Sequence, residues 1–320
     1  MSEATGDAAA PAGSGGRRAI ASPPGPVRAL RDKLYDLWMA RELLRQFVGK
    51  ELKVRYKNSA LGFIWSLLTP ALMTVVFTVI FAFVIRIEVV DFAAFFLSGY
   101  LVWMFFQNAV QGSILAIVGN GALIKKGYFP REILPLSVVL SQLVHFLLAL
   151  LAVSPYLIWT RGWEIVYRLP MIAVGVVLVT MFTAGVAMLL AGANVTFRDL
   201  QELIVVIFMV WFYATPIIYP FALVTDADNT AARTAAVVLS YNPMTWFIRI
   251  FRESIYGEVV ANPAHDPTCV GEACAAPFLT TAQSWPSAEL LGAAAAAALI
   301  TFIVGYAMFH RFALNFAKEV

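Results

Sequence analysis

The residues able to do chemistry are few and scattered. Cys269 and Cys274 are the only two cysteines, and they enclose four residues in a polar segment. Outside the cytoplasm this spacing favours a disulfide that closes a small loop. Two free thiols or a metal site are the alternatives, although a Cys-x4-Cys pair with one nearby histidine, His265, is a weak metal signature. We therefore expect a disulfide and no metal.

Ionisable residues inside apolar stretches would indicate ion-coupled transport, and they are almost absent. His145 is the one clear candidate, and a lone histidine among helices is more often a packing residue than a proton relay. Gln107, Asn108 and Gln111 add an uncharged polar patch. This scarcity indicates that the energy for any transport comes from a partner.

No catalytic motif is present in the sequence. Gly119-Asn120-Gly121 is not followed by the Gly-Lys-Ser/Thr of a nucleotide-binding loop. A membrane-embedded transferase would need acidic or histidine residues clustered at the membrane surface. The only such group is Glu253, Glu258, His265 and Asp266, which has no obvious geometry. We therefore predict that the chain is not an enzyme and binds no cofactor itself.

The elements that position these residues are six long apolar stretches. Hydrophobic residues make up 60% of the chain and charged residues 13%, which is typical of a membrane protein. About 20 apolar residues cross a bilayer as a helix. We predict an all-α integral membrane protein with six transmembrane helices. The stretches run over residues 61–85, 92–118, 133–160, 170–193, 201–221 and 289–310.

The basic residues predict the orientation. With both termini in the cytoplasm, 17 of the 23 Lys and Arg residues lie on the cytoplasmic side. The chain is therefore expected in the cytoplasmic membrane, in contact with its lipids, and no nucleic-acid partner is expected.

The segment before the first span divides into two parts. Residues 1–27 are rich in Ala, Gly, Pro and Ser, which predicts a disordered cytoplasmic tail. Residues 28–58 carry a leucine-rich stripe at helical spacing among nine basic residues, which predicts an amphipathic helix in the membrane interface. The alternative is a basic flank that only anchors the first span. Residues 59–320 would form the membrane domain.

The segment 221–288 is the only long loop, and the charge rule places it outside. Its apolar pieces, 231–240 and 244–256, are too short to span a bilayer, which favours re-entrant or interfacial helices. Residues 257–288 are rich in Pro, Ala and Thr and are expected to form an exposed loop.

Aromatic residues are abundant in three of the spans. They would be either lipid-facing bulk and interfacial belts or the lining of a path along which a polymer slides. The residues that we assign to a substrate path are Phe77, Phe81, Tyr100, Trp103, Phe106, Trp211 and Tyr213.

Five motifs stand in order along the chain, namely LGFIWSLLTP at 61–70, LIKKGYFPREILP at 123–135, Phe197-Arg198-Asp199, TPIIY at 215–219 and Tyr241-Asn242-Pro243-Met244. Together they resemble the ABC-2-type permeases that export polysaccharides such as O-antigen and teichoic acid. The resemblance extends over residues 35–315, and the tail and the 257–288 loop depart from it.

The resemblance implies a half-transporter. Two copies would form the channel, and two ATP-binding cassette subunits, carrying ATP and Mg, would dock on the cytoplasmic face. Arg131, Glu132 and Asp199 are expected to help this docking. The full set of expected coupling residues is Lys125, Lys126, Tyr128, Phe129, Pro130, Arg131, Glu132, Phe197, Arg198 and Asp199. The re-entrant pair would form an exit gate with Tyr241, Trp246, Phe247 and Phe251.

The expected function is export of a lipid-linked polysaccharide, driven by ATP hydrolysis on the partner chain. A cell-wall galactan is a plausible cargo alongside O-antigen and teichoic acid. An ABC-2 permease for a drug or lipid is the alternative within the same architecture, and a non-catalytic scaffold is a different class.

Overall fold

The computed structural model describes most of the membrane domain. The described residues are 39–56, 64–126, 130–197, 199–225, 230–262, 264, 277–313 and 316. The predicted tail 1–27 and the first part of the predicted interface helix, 28–38, lie outside them. Five further residues with predicted roles also lie outside, namely Tyr128, Phe129, Arg198, Cys269 and Cys274.

Helices dominate the described residues, and one short strand pair lies near the end of the chain. The helices α1 to α6 are Arg41–Tyr56, Ile64–Thr78 with a π-helical continuation Val79–Val84, Phe92–Ile114, Gly121–Lys126, Ile133–Arg161 and Glu164–Tyr167. The helices α7 to α12 are Leu169–Thr196, Leu200–Tyr213, Ala222–Thr225, Thr230–Ser240, Pro243–Ile255 and Ala288–Ala313. A 3-10 turn covers Val118–Asn120. Strands β1, Val259–Ala261, and β2, Phe278–Thr280, pair antiparallel.

Five helices are long and apolar enough to cross a membrane, which confirms the prediction of an all-α integral membrane protein at this level. They are Leu67–Val84, Phe92–Ile114, Ile133–Arg161, Leu169–Thr196 and Ala288–Ala313. The stretch predicted as a span over 201–221 contains instead the 14-residue helix α8. This helix stops just before Thr215-Pro216, because proline lacks an N–H and disfavours helical backbone at the residue before it.

Contacts between distant segments define two ends of the bundle. At the basal end, Lys50 Nζ donates to Asn120 Oδ1 (3.3 Å), and Asn194 Nδ2 donates to the carbonyl of Ile114 (3.1 Å). At the hairpin end, which carries the β1–β2 pair, the hydroxyl of Tyr156 donates to Asp91 Oδ1 (2.8 Å). Helix α3 therefore runs from the hairpin end to the basal end, and α7 ends at the basal end.

Helices α7 and α12 lie parallel and nearly in backbone contact. A Cβ added at Gly305 would meet the carbonyl oxygen of Gly185 at 2.0 Å, and one added at Gly185 would meet the carbonyl oxygen of Thr301 at 2.5 Å. Two α-helical turns further on, Gly192 faces Phe309 and Phe312. Small residues permit this close approach between helices, as is common in membranes.

Helix α1 occupies the described part of the predicted interface helix. Leu44, Val48 and Leu52 of the predicted stripe are half-buried, whereas Arg45 and Lys53 are exposed. The helix packs against α5. The amphipathic pattern therefore gives one helix with an inner apolar side and a basic outer side.

Helix α11 is buried within the bundle. Ten of its 13 residues are buried, although it carries Arg249, Arg252 and Glu253. It packs against α3, α7 and α12. The two apolar pieces predicted between spans five and six are therefore helices, of which α11 is part of the core.

Candidate functional site

A continuous set of rings in stacked or edge-to-face contact, here the aromatic row, joins α2, α3 and α8. Along α3 the rings recur every three or four residues, which places them on one helix face. Phe96 stacks on Phe77 of α2 and on Tyr100, with ring centroids 4.9 and 4.8 Å apart. Trp103 meets Trp211 of α8 at 6.1 Å. The members are Phe77, Phe81, Phe92, Phe96, Tyr100, Trp103, Phe106, Phe208, Trp211, Phe212 and Tyr213.

All seven residues assigned to a substrate path belong to the aromatic row. Four members were missing from that assignment, namely Phe92, Phe96, Phe208 and Phe212. The signal that could have found them is the spacing of four, since Phe92, Phe96 and Tyr100 form one series and Phe208 and Phe212 another. The structure therefore joins residues that the sequence shows only as separate aromatic clusters.

Some rings of the aromatic row are buried, and others are accessible at the surface of the chain. Trp103 and Phe106 are 1% and 0% exposed, whereas Phe77 and Tyr100 are half-buried and Tyr213 is exposed. The indole N–H of Trp103 donates to Gln107 Oε1 (2.8 Å), so part of the predicted polar patch adjoins the row. The open rings give this side of the chain a broad apolar surface with few hydrogen-bond demands.

The C-terminal end of α8 is fixed to the start of α11 by Asn242. Its Oδ1 accepts from Trp211 Nε1 (2.9 Å) and caps α11 at the N–H of Met244 (3.1 Å). Its Nδ2 donates to Thr215 Oγ1 (2.9 Å) and to the carbonyl of Ala214 (3.2 Å). One amide thus satisfies both helix ends.

Arg252 fixes the same turn from the other side of α11. Its Nη1 and Nη2 donate to the carbonyls of Pro216 (2.7 Å) and Ile217 (3.0 Å), and its guanidinium lies 3.9 Å from the ring centroid of Phe95. A side chain at Gly99 would come within 2.9 Å of Nη2. We call these contacts, with those of Asn242, the α8–α11 junction. Arg252 is not among the site residues predicted from the sequence.

Burial and charge shape the electrostatics of α11. Desolvation lowers the pKa of Arg252 to about 9, and Arg249 contributes in the same direction. Desolvation raises the pKa of Glu253, an effect that Arg249 opposes and Glu258 adds to. Arg249 lies 2.9 Å from Glu253 Oε1 and 3.3 Å from Glu258 Oε1, so it links the two carboxylates.

The four residues predicted as an exit gate have different surroundings. Phe247 and Phe251 are fully buried, and their rings contact those of Phe182 and Phe146 at tilted and edge-to-face angles, with centroids 5.1 and 5.7 Å apart. Tyr241 is exposed, and Trp246 is half-buried. The structure thus places two of the four in the core, and their role as a gate stays a prediction.

The predicted coupling residues whose side chains the structure describes have different surroundings. Glu132 is buried, with its Oε1 2.8 Å from His310 Nε2. Arg131 donates to the carbonyl of Ala313. Pro130 immediately precedes this pair and is half-buried, whereas Phe197 and Asp199 are exposed.

The other coupling residues are only partly described. Lys125 and Lys126 end α4, and Tyr128, Phe129 and Arg198 lie outside the described residues. Among the residues that the structure describes, no three His, Cys, Asp or Glu side chains are grouped as a metal site would need. The site is therefore apolar and aromatic, with charges confined to its two ends.

Comparison with known families identifies this architecture. The model of the family described as ABC-2 type transporter matches residues 42–256, which is more than half of the chain. The chain belongs to the ABC-2 type transporter family. The match begins within α1 and ends one residue after α11, so it contains the whole aromatic row and the α8–α11 junction.

Curated relatives within this ABC-2 family carry names from polysaccharide export. The chain is 32% identical over 222 residues to an O-antigen export system permease protein RfbA of Klebsiella pneumoniae, which covers 68% of this chain and 82% of the relative. It is 35% identical over 221 residues to RfbA of Myxococcus xanthus, covering 69% and 83%. It is 20% identical over 213 residues to the polysialic acid transport protein KpsM of Escherichia coli, covering 64% and 78%.

The resemblance drawn from the sequence motifs is thereby confirmed at the level of the ABC-2 family. Family members are membrane subunits, with ATP hydrolysis on a separate subunit. The relatives' names do not specify teichoic acid or galactan, so these cargoes stay predictions.

Proposed function

We propose that this chain is the membrane subunit of an ABC exporter that moves a lipid-linked polysaccharide outward across the cytoplasmic membrane, driven by ATP hydrolysis on a separate subunit. The observation that carries the proposal is the similarity, over two thirds of the chain, to relatives named as O-antigen export permeases. The aromatic row is the structural feature that fits this function. ATP and Mg would be bound by the partner and not by this chain.

The row suits a polymer that must slide. Aromatic faces offer contact area without fixed hydrogen bonds, so successive sugar rings can exchange places at little cost. Tyr100 and Tyr213 each add one polar hydroxyl at the open side of the row. The buried members, Trp103 and Phe106, would support the open rings from behind.

A sixth crossing by α8 is part of the proposal. Helices α7 and α12 are parallel, and α7 ends at the basal end, so the chain must return to the hairpin end between them. Helix α8 covers about 21 Å of the ~30 Å core. Residues 214–219 would continue the crossing as irregular backbone, which is tolerated where protein covers it. Thr215 and Ile217 are fully buried, which supports this path.

A homodimer completes the channel in this proposal. The row lies on α2, α3 and α8, and α2 and α8 expose most of their other apolar side chains. A single chain therefore supplies one wall of a path, and a second copy would supply the other. Copies carrying two different tags should co-purify from mixed expression, and recovery of each tag alone would contradict this.

Coupling to the ATP-binding subunits is assigned to the basal end, with two roles. Phe197 and Asp199 are exposed and would contact the partner. Arg131 and Glu132 contact the end of α12 and would instead brace the loop that transmits the motion. Both termini and α1 would lie on this cytoplasmic side, and α10 with α11 would form the outer gate.

A pull-down with the ATP-binding subunit tests this division. Phe197→Ala with Asp199→Lys should weaken the pull-down by about tenfold, since ~1.4 kcal/mol of contact energy corresponds to that factor. Glu132→Gln should leave the pull-down unchanged and lower the melting temperature of the purified chain. Unchanged pull-down in the first variant would contradict the contact role.

Depletion of the chain in its host tests the function itself. We expect lipid-linked polymer to accumulate inside the cell while the surface glycan is lost, as shown by radiolabelled sugar incorporation. Normal glycan turnover combined with altered tolerance to a drug or lipid would instead identify the alternative permease. Thiol labelling without reductant separately tests the Cys269–Cys274 disulfide, which predicts no labelling of either cysteine.

A further inference from the structure

A cavity of about 380 Å³ lies at the hairpin end, beside the aromatic row. This volume is within the range of small-molecule sites. Its walls come from α11, from the turn that carries α9, and from the start of β1. The residues that concern the argument are Phe95, Thr225, Arg249, Arg252, Glu253 and Glu258. Phe95 packs on Phe92 of the row, with ring centroids 5.7 Å apart, so the cavity adjoins one end of the row.

The charges that line the cavity balance each other. Two arginines and two glutamates give a formal charge of zero. Arg249 already pairs with Glu253 and Glu258. An anionic ligand would have to displace these carboxylates from the arginine, and a cationic ligand would have to displace the arginine from the carboxylates. The lining therefore favours an uncharged ligand with many hydrogen-bonding groups.

Arg252 gives an independent indication of a ligand. It is 6% exposed and lines the cavity, and its Nη1 and Nη2 are bonded to carbonyls. Its Nε is buried and has no acceptor among the residues that the structure describes. A buried donor without an acceptor is destabilising, so a ligand oxygen that reached this nitrogen would be favoured.

We infer that this cavity binds a short saccharide unit of the exported polymer at the outer end of its path. Sugar hydroxyls both donate and accept, which matches carboxylates that accept beside guanidinium groups that donate. Hydrogen bonds to charged groups are the stronger ones, and the apolar walls suit the C–H face of a sugar ring. The inference rests on the proposed function, since the polymer reaches the cavity only if it is the cargo.

Site-specific photocrosslinking in the assembled transporter tests the inference. The crosslinker p-benzoylphenylalanine would replace Thr225, which is exposed in the cavity wall, or Val238, which is 66% exposed on α10 and does not line the cavity. The probe is the host's lipid-linked polymer, labelled with radioactive sugar during active export. We expect at least about tenfold more labelled glycan on position 225 than on 238, the ratio given by ~1.4 kcal/mol of preference.

A second variant tests whether the charged groups do the binding. Glu258→Gln in the Thr225 crosslinker chain should reduce the labelled adduct severalfold, because it removes one of the charged acceptors in the cavity wall. An undiminished adduct would show that the charged groups do not bind the saccharide. Equal labelling at 225 and 238 during normal export would overturn the saccharide site and leave the proposed function intact. Failure of export to depend on this chain would overturn both.

Discussion

Two helix junctions in this protein are built on opposite principles. Helices α7 and α12 meet through glycine backbones, with a Cβ at Gly305 excluded by the carbonyl of Gly185. Helices α8 and α11 meet through the side chains of Asn242 and Arg252, which bond carbonyls and a hydroxyl at the end of α8. The first junction is a steric fit that tolerates no displacement, whereas the second consists of hydrogen bonds that can break and reform.

The difference indicates where motion is possible. The α8–α11 junction connects a helix of the aromatic row to a helix that lines the cavity at the hairpin end. The α7–α12 junction contributes no residue to the row and holds two long helices together. We therefore expect substitutions in the glycine junction to reduce folding, and substitutions in the polar junction to reduce transport more than folding.

The largest effect is expected from Gly305→Ala. Its new Cβ would meet backbone, which cannot move aside, so the helices must separate at a cost of roughly 3 kcal/mol. The melting temperature of the purified chain in detergent measures this. Gly292→Ala is the matched control, because Gly292 lies in the same helix with nothing within 4 Å of the new atom. An equal loss in both variants would show that the close approach does not matter.

Arg252→Met should have the next largest effect. It removes the donors to the carbonyls of Pro216 and Ile217 and leaves two buried acceptors unpaired, at a cost of about 2 kcal/mol. The loss of transport should exceed what the loss of stability explains. Arg45→Met, at an exposed position on α1, serves as the control.

A substitution at Gly99 tests the position of Arg252 in the α8–α11 junction, because a Cβ at Gly99 would touch Arg252 Nη2. Gly99→Ala should cost less in the Arg252→Met background than in the wild type, because contacting residues are not additive. Strictly additive melting shifts would show that Arg252 does not occupy this position.

Asn242→Ala should cost about 1.5 kcal/mol, because it removes the helix cap and the acceptor for Trp211. We expect ATP hydrolysis by the assembled transporter to continue while polymer export falls, since α8 and α11 would no longer move together. Ser240→Ala is the control, as its hydroxyl bonds only the local carbonyl of Val237 and is exposed. Export and hydrolysis that fall in parallel would argue against a coupling role for the junction.

The smallest effect is a pH dependence from Glu253. Burial raises the pKa of this carboxyl in the folded chain, so the folded state binds more protons than the unfolded state above the ordinary value of 4.5. Stability should therefore fall as the pH rises from 4.5 through the raised value. Glu253→Gln should flatten the melting temperature over this window, and an unchanged slope would assign the dependence to another group.

The sequence was most informative about elements and least informative about their partners. The continuous apolar runs predicted helices at the right places because a bilayer requires internally bonded backbone. It also predicted short helices near 231–240 and 244–256, which the structure has as α10 and α11. The stretch 201–221 was predicted as a full span, but its helix α8 ends at Tyr213, before Pro216. A sixth crossing at this stretch is therefore part of the proposed function.

The residues of the candidate site were predictable only by type. The abundance of aromatic residues led to the seven path residues. The other four members of the row could have been found from their spacing of four along α3 and α8. Arg252 carried no such signal, because its role depends on carbonyls 36 and 35 residues earlier in the chain. The inward orientation of Glu132 likewise depends on His310, far along the sequence.

By itself the sequence determined that this chain is a helical membrane protein of the ABC-2 type, since hydropathy and local motifs are properties of contiguous residues. The tertiary structure alone decided which helices meet and how. Gly185 and Gly305 are both small residues in apolar helices, and nothing local distinguishes them from Gly292. Packing brings the backbones together at Gly185 and Gly305 and leaves open space at Gly292. The difference arises because a helix contact depends on the surface of the partner helix.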